Sequence, residues 1–280
     1  MVAVVGEMVG ELIRYRGLLA MLAWRDIRVR YKQSILGVAW AFLMPLIQTL
    51  VLWAIVQFGP MNIEARDRDY MPALLFVLSG VIPWSLFNST LAASVESLTR
   101  NSRLVTKIYF PREVFPLGTV AGAIVDFSIS LTILIPVYAF YAVKSQGIIS
   151  EPHVHVTPML AVLPFILIIQ LLLVAGLSLI VSMANLFFRD VKYLMTFVLQ
   201  LWFFATNVMY PIKFEHHPAL RWLASANPMI AILNAYRDCL MGNGLHDAAG
   251  LAISAVVAVL VFFGGWRAFH EAEFKFAEYV

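Results

Sequence analysis

One acidic side chain, Asp126, lies deep inside an apolar stretch of the sequence. An acid in such a place is either a proton or substrate site or a structural hydrogen bond to a neighbouring helix. No base accompanies it in the apolar stretches, which favours the structural role over a proton relay. His153-x-His155 and His216-His217 offer ligand types without a third ligand nearby in sequence, so no metal is expected there. The sequence has no GxxxxGK followed by Ser or Thr, and no HExxH, CxxC or GxSxG. No nucleotide phosphate is therefore cradled by this chain, and no hydrolytic or metalloenzyme chemistry is signalled. The single cysteine, Cys239, allows no intrachain disulfide.

The informative pattern is one of cations and rings. Arg100, Arg103 and Lys107 stand three and four residues apart, which lines them on one helical face. Leu98, Val105 and Tyr109 lie opposite, with Ile108 at the edge, and Pro111 stops the helix. A loop that only signals topology needs basic residues, not a sorted, proline-terminated helix. Docking to a cytoplasmic protein is thus the sharper reading, and topology signalling the plainer one. The chain also carries 20 Phe, 10 Tyr and 7 Trp. Trp53, Trp84 and Trp266 suit the interfacial belts of any membrane protein. Two stretches are richer: one holds Trp40, Phe42, Trp53 and Phe58, the other Phe197, Trp202, Phe203, Phe204 and Tyr210. Rings there could stack on sugars or close a pore by dewetting, or could simply face lipid or pack a core.

These residues sit in a chain of 280 residues that is 61% hydrophobic and 13% charged, with mean hydropathy +0.81. A soluble domain carries about 25% charged residues, and a water-soluble fold of this size cannot hide so much apolar surface. Disorder is excluded more firmly, because it needs low hydrophobicity and high charge. The net charge of +3 is too mild to argue for nucleic acid. The composition therefore predicts an all-α integral membrane protein. Apolar runs place six spans at 35–58, 72–91, 114–143, 158–186, 191–210 and 248–266. The short FFRDVK turn makes the fourth and fifth antiparallel neighbours. Fourteen of the twenty Lys and Arg fall on one set of connecting segments and six on the other. The basic-inside rule then predicts both termini in the cytoplasm. The opening residues lack the pattern of a cleaved leader, so none is expected.

Two further segments do not span. Around residues 9–33, Ile13, Ala20, Trp24, Ile27 and Tyr31 share one arc, and Arg14, Arg25, Arg28 and Lys32 share the next. This predicts an amphipathic helix lying in the cytoplasmic interface, with Gly17 a potential break. It is either an anchor for the first span or a lever against a cytoplasmic partner. Residues 211–247 are too polar to span and too apolar for a solvated loop. Two short helices dipping into the outer interface, broken near Asn227-Pro228, fit best. The domain plan is a cytoplasmic interfacial helix (1–34), a six-helix membrane domain (35–268) and a cytoplasmic tail (269–280).

At this point the sequence resembles a known family. WRDIRVRYKQSILGVAWAFLMPLIQ (24–48) looks like the opening of the ABC-2-type permeases that export cell-surface polysaccharides. KIYFPREVFPLGTV (107–120), NLFFRDVKYLMTFVLQLWFF (185–204) and ANPMIAILNAYRD (226–238) continue the likeness in the family's order and spacing. ATNVMYP (205–211) departs from the Ser-Pro that many relatives carry before the Tyr. The resemblance implies a homodimer bound to two copies of a separate ATPase, which would hold the ATP and Mg; this chain would hold no cofactor. It implies that residues 97–110 form a coupling helix, with Arg100, Asn101, Arg103, Lys107, Arg112 and Glu113 at the ATPase contact. Residues 1–34 would be a gate at the cytoplasmic mouth. The first and fifth spans would line the channel with their rings, and helices within 211–247 would flank the exit. The substrate would be a polyprenyl-diphosphate-linked polymer such as O-antigen, capsule or teichoic acid, drawn from the bacterial cytoplasmic membrane. Trp24, Arg28, Arg30 and Lys32 would stand at the cytoplasmic mouth, the three cations near the diphosphate. An ABC-2 exporter of drugs or lipids is the runner-up. An ion-coupled carrier using Asp126 is a third reading, which no inverted repeat supports.

Overall fold

The computed structural model describes residues 10, 14–31, 37, 39–58, 71–102, 104, 111–147, 154, 156–209, 226–242 and 244–276, without the side chains of 30, 31 and 145–147. Among these residues every regular element is a helix, with no strand. The order is α1 (Arg16–Tyr31), α2 (Ala39–Phe58), α3 (Ala73–Val95), α4 (Ser97–Arg100) and α5 (Val114–Gly147). After a 3₁₀ turn at Pro158–Val162 come α6 (Leu163–Phe187), α7 (Val191–Phe204), α8 (Pro228–Met241) and α9 (Ala248–Glu273). The helices α2, α3, α5, α6 and α9 are long and apolar enough to cross a membrane. The sixth expected span, 191–210, is a helix of 14 residues that ends at Phe204. At about 1.5 Å per residue it is shorter than a bilayer core of about 30 Å.

The second span is the centre of the bundle. In α3, 78% of the apolar stretch is buried, against 22–33% in the other four. It packs on α2, α5, α6, α7 and α8. Surrounded by protein rather than lipid, it tolerates Ser79, Thr90 and Ser94, all buried, whose hydroxyls bond backbone or neighbouring polar groups. Buried Gln170 of α6 donates to the Pro83 carbonyl at 2.7 Å, an interhelical tie inside the bundle.

Small residues set the close approaches. The closest partners are α6 and α9, and a Cβ on Gly176 would lie 2.6 Å from backbone atoms of Val261 and Phe262. On the other helix, a Cβ on Gly265 would lie 2.7 Å from the Gly176 carbonyl oxygen. The two glycines let the backbones meet.

The first helix, α1, lies on α5 rather than standing free. Its buried residues are Leu22 and Ala23, with Leu18, Leu19 and Ile27 half-buried. Trp24 and Ala20, on the expected apolar arc, are exposed. The receiving surface explains the difference. Gly118 and Gly122 of α5 stand one turn apart beneath it: a Cβ on Gly118 would lie 3.7 Å from Leu22 Cβ, and one on Gly122 4.0 Å from Ile27 Cγ1. A second core then gathers at this end. Leu22, Leu98, Val114, Phe115, Leu179, Leu186, Trp266, Phe269 and Phe276 join α1, α4, α5, α6, α9 and the tail.

Candidate functional site

The basic loop after α3 begins as α4, and Glu96 hinges it. Glu96 accepts a hydrogen bond from the Arg100 guanidinium at 3.0 Å and pairs through its other oxygen with the Lys192 ammonium. Lys192 starts α7, so α4 is tied to the turn between α6 and α7. Lys192, and secondly Arg100, hold the Glu96 carboxyl below the usual carboxylate range. A carboxyl lowered in the folded state contributes its stability above the ordinary value and loses it as pH falls through the lowered one. The tie should therefore survive mild acid. Proteolysis of the 96–113 loop should stay slow from neutral pH to about pH 5, and Glu96→Gln should be cut faster at every pH tested.

Apolar contact completes the anchoring, because Leu98 is fully buried in the core at this end. Asn101 ends the helix by donating its amide to the Ser97 carbonyl at 2.7 Å. Arg100 remains open to solvent. Arg103 and Lys107 lie outside the described residues. Arg112 and Glu113 turn inward instead: Glu113 is buried beside His270, and the Arg112 guanidinium donates to the Glu273 carbonyl.

A cavity of about 330 Å³ separates α4 from α1 and α5, lined by Arg25, Asp26, Ser97, Arg100, Asn101 and Thr119 among others. The first helix and the loop helix thus share a polar pocket. Arg25 is paired with Asp26 at 2.8 Å, and the Arg28 guanidinium sits 5.4 Å from the Trp24 ring centre. Lys32 and the Arg30 side chain lie outside the described residues.

The ring-rich helices flank α3, and the structure sorts their rings. On α7, Phe197 and Phe204 face outward with Tyr193, Leu194 and Leu201. Trp202 and Phe203 turn inward, packing edge-on against Phe87 at 5.0 Å and Trp84 at 5.7 Å. These two rings clamp α7 to α3. On α2, Trp40, Phe42 and Phe58 are exposed beside Met44, Ile47, Val51 and Ile55. Trp53 is half-buried, with Phe58 edge-on at 6.1 Å. Tyr210 lies outside the described residues. Asp126 lines a second cavity, of about 390 Å³, with Trp40, Ser85, Ser89 and Ser130.

The other end holds polar residues that sequence reasoning passed over. Asn227 caps α8 by accepting from the Met229 N–H at 3.1 Å. The same oxygen accepts from the Trp202 indole at 3.0 Å, and its amide donates to the Ala205 carbonyl and the Thr206 hydroxyl. One side chain therefore joins the last turn of α7 to the first of α8. Asn207 and Asn234 bond beside it. Arg237, buried on α8, donates to the carbonyls of Phe76 and Val208 and lies 3.7 Å from the Phe76 ring centre. Gly80 makes the room: a Cβ there would stand 2.7 Å from both the Arg237 guanidinium and the Val208 carbonyl. Within 211–247, where two short helices dipping into the outer interface are expected, the structure describes the helix α8, and residues 211–225 lie outside the described set. Asn227→Ala should cost about 1–3 kcal/mol by removing the cap and leaving these groups unpaired. Thermal unfolding of the detergent-solubilised protein, followed by tryptophan fluorescence, would register it.

A helical bundle, an anchored loop helix and a first helix packed on its flank can serve many transporters. The sequence decides among them, because residues 17–241 match the ABC-2 type transporter family. The chain belongs to that family. Over 276 residues it is 30% identical to an O-antigen export system permease protein, RfbA, of Myxococcus xanthus, covering 97% of this chain and 98% of that protein. It is 26% identical over 266 residues to an RfbA protein of Klebsiella pneumoniae, covering 93% and 94%. It is 24% identical over 255 residues to the polysialic acid transport protein KpsM of Escherichia coli, covering 89% and 91%. Members of the ABC-2 type transporter family are membrane subunits, and this chain has the apolar helices for that role.

Proposed function

We propose that this chain is the transmembrane subunit of an ATP-driven exporter of a polyprenyl-diphosphate-linked polysaccharide. Two copies form the channel, and two copies of a separate ATPase chain, holding ATP and Mg, bind at the cytoplasmic face. The assembly sits in a bacterial cytoplasmic membrane with both termini of this chain inside. The observation that carries the reading is the anchoring of α4. A helix that passes motion into a membrane domain must be exposed on one side and rigidly held on the other. Arg100 is open to solvent, while Glu96 and Leu98 fix α4 to the α6–α7 turn and to the core shared by α1, α5, α6 and α9. Closing of the ATPase subunits pushes on α4, and the push reaches α1 through the shared core and cavity.

The outward apolar stripes of α2 and α7, including Trp40, Phe58, Phe197 and Phe204, are exposed. Facing a second copy across a channel, they would offer rings to successive sugars. Trp24 and Arg28, exposed on α1, stand where the diphosphate enters, with Arg30 and Lys32 as the further cations the sequence offers it. Relatives named for O-antigen export and polysialic acid transport support the polymer class. Deleting the gene tests the reading. The expected result is loss of a surface glycan with build-up of lipid-linked polymer inside the cell, both reversed by the wild-type gene. Unchanged surface glycan in the deletion strain would contradict it.

A further inference from the structure

The start of α5 and the last turn of α9 bring together three groups that can bind a metal. His270 Nδ1 lies 3.3 Å from Glu113 Oε1 and 3.7 Å from Glu273 Oε2. One ligand atom from each residue lies within 4.8 Å of the other two. Tetrahedral ligands at about 2.0–2.2 Å from a cation stand about 3.3–3.6 Å apart; the His270–Glu113 distance lies in that range, the His270–Glu273 distance just above it, and small side-chain shifts would bring all three onto one ion. Glu113 is only 3% exposed, and its Oε2 has no hydrogen-bond partner among the described residues. A buried carboxylate oxygen left so is costly and calls for a cation.

The charge count agrees. The two carboxylates of Glu113 and Glu273 outnumber the one neighbouring guanidinium, that of Arg112. Arg112 donates to the Glu273 backbone carbonyl and lies 5.9 Å from the Phe276 ring centre, while its Nε stands 3.9 Å from Glu273 Oε1, a loose pairing that leaves Oε2 to the cluster. Its own backbone N–H donates to Glu273 Oε1 at 3.2 Å, which turns Oε2 toward the site. Metal sites use such outer hydrogen bonds to orient their ligands.

We propose that Glu113, His270 and Glu273 bind one divalent transition-metal ion of the zinc or manganese class. One imidazole and two carboxylates suit these ions better than soft or purely oxygen-seeking ones. His270 is part-exposed, so the ion has a way in and water completes its coordination. The ion clamps the end of the basic loop to the last helix, fixing the frame against which α4 moves.

The full-length protein, purified in detergent and stripped with chelator, would be dialysed against Zn²⁺, Mn²⁺ or Co²⁺. About one ion per chain should be retained, with a visible Co²⁺ absorption of low-symmetry coordination. Glu113→Gln and His270→Ala should each weaken binding by about tenfold or more, while His246→Ala, at the opposite end of the bundle, should not. Zn²⁺ should raise the melting temperature of the wild type and not of His270→Ala. The proposal is overturned if wild type and His270→Ala retain equal metal. It is also overturned if acidification in chelator stabilises the protein through His270 and metal adds nothing, since a proton then fills the site.

Discussion

Gly176→Leu should yield no folded protein. The Cβ alone would stand 2.6 Å from the backbone of α9, where no side chain can rotate away. To admit it, α6 and α9 must separate, and they are the most intimate pair in the bundle. The separation would also strip the contacts around Gly265 and Ile180. Overpacking a core costs about 1–3 kcal/mol when side chains can give, and more when backbone must move. Here the contact is with backbone, so the cost exceeds that range and becomes comparable to a total stability of about 5–15 kcal/mol for a typical domain. A fluorescent fusion run on size exclusion in detergent should show aggregate where the wild type gives a sharp peak. Gly264→Leu is the control, because a Cβ there meets nothing within 4 Å, and it should run as wild type.

Gly80→Val should disable the protein through a different route. Its Cβ would strike the Arg237 guanidinium and the Val208 carbonyl at 2.7 Å, and the Val208 Cα at 3.2 Å. The guanidinium could shift, but the backbone at Val208 could not without undoing the turn that ends α7. That turn is where α7 passes to α8 through Asn227 and Asn207. Arg237→Met should act in the same direction but more mildly. It leaves the Phe76 and Val208 carbonyls without this donor, at about 1–3 kcal/mol for a buried unpaired group. Both variants should lower the melting temperature and reduce surface glycan in a complemented deletion strain, with Gly80→Val the more severe. Wild-type export from Gly80→Val would mean that the α7–α8 turn is not held as described.

The spans were legible wherever the membrane alone selects the residues. The stretches that became α2, α5, α6 and α9 are apolar because lipid surrounds much of them, and hydropathy reads that directly. The central place of α3 was harder to see, since Ser79, Thr90 and Ser94 lower its hydropathy for a reason that lies in its neighbours. The buried face of α1 was misplaced for a related reason. Periodicity within 9–33 selects the arc with Trp24, whereas Gly118 and Gly122, nearly a hundred residues away, choose Leu22. The rings of α7 were visible as a group but not as two sets. Composition cannot say that Trp202 and Phe203 meet Phe87 and Trp84 while Phe204 faces out. The helix of residues 191–204 stops early because Asn227, in a distant segment, receives its end. The cluster of Glu113 with His270 had no local signature at all, as 157 residues separate the pair. Asn227-Pro228 could have signalled its cap, since Pro favours the first helical turn and Asn precedes it.

The most direct test of the account is to reverse charge on the loop helix and measure hydrolysis and export together. Arg100→Glu/Arg103→Glu should leave the permease folded and its partner ATPase active, while surface glycan falls by about tenfold or more, as expected when motion no longer reaches the membrane helices. Unchanged export from the double variant, at wild-type protein level, would contradict the assignment of α4 as the element that carries the motion.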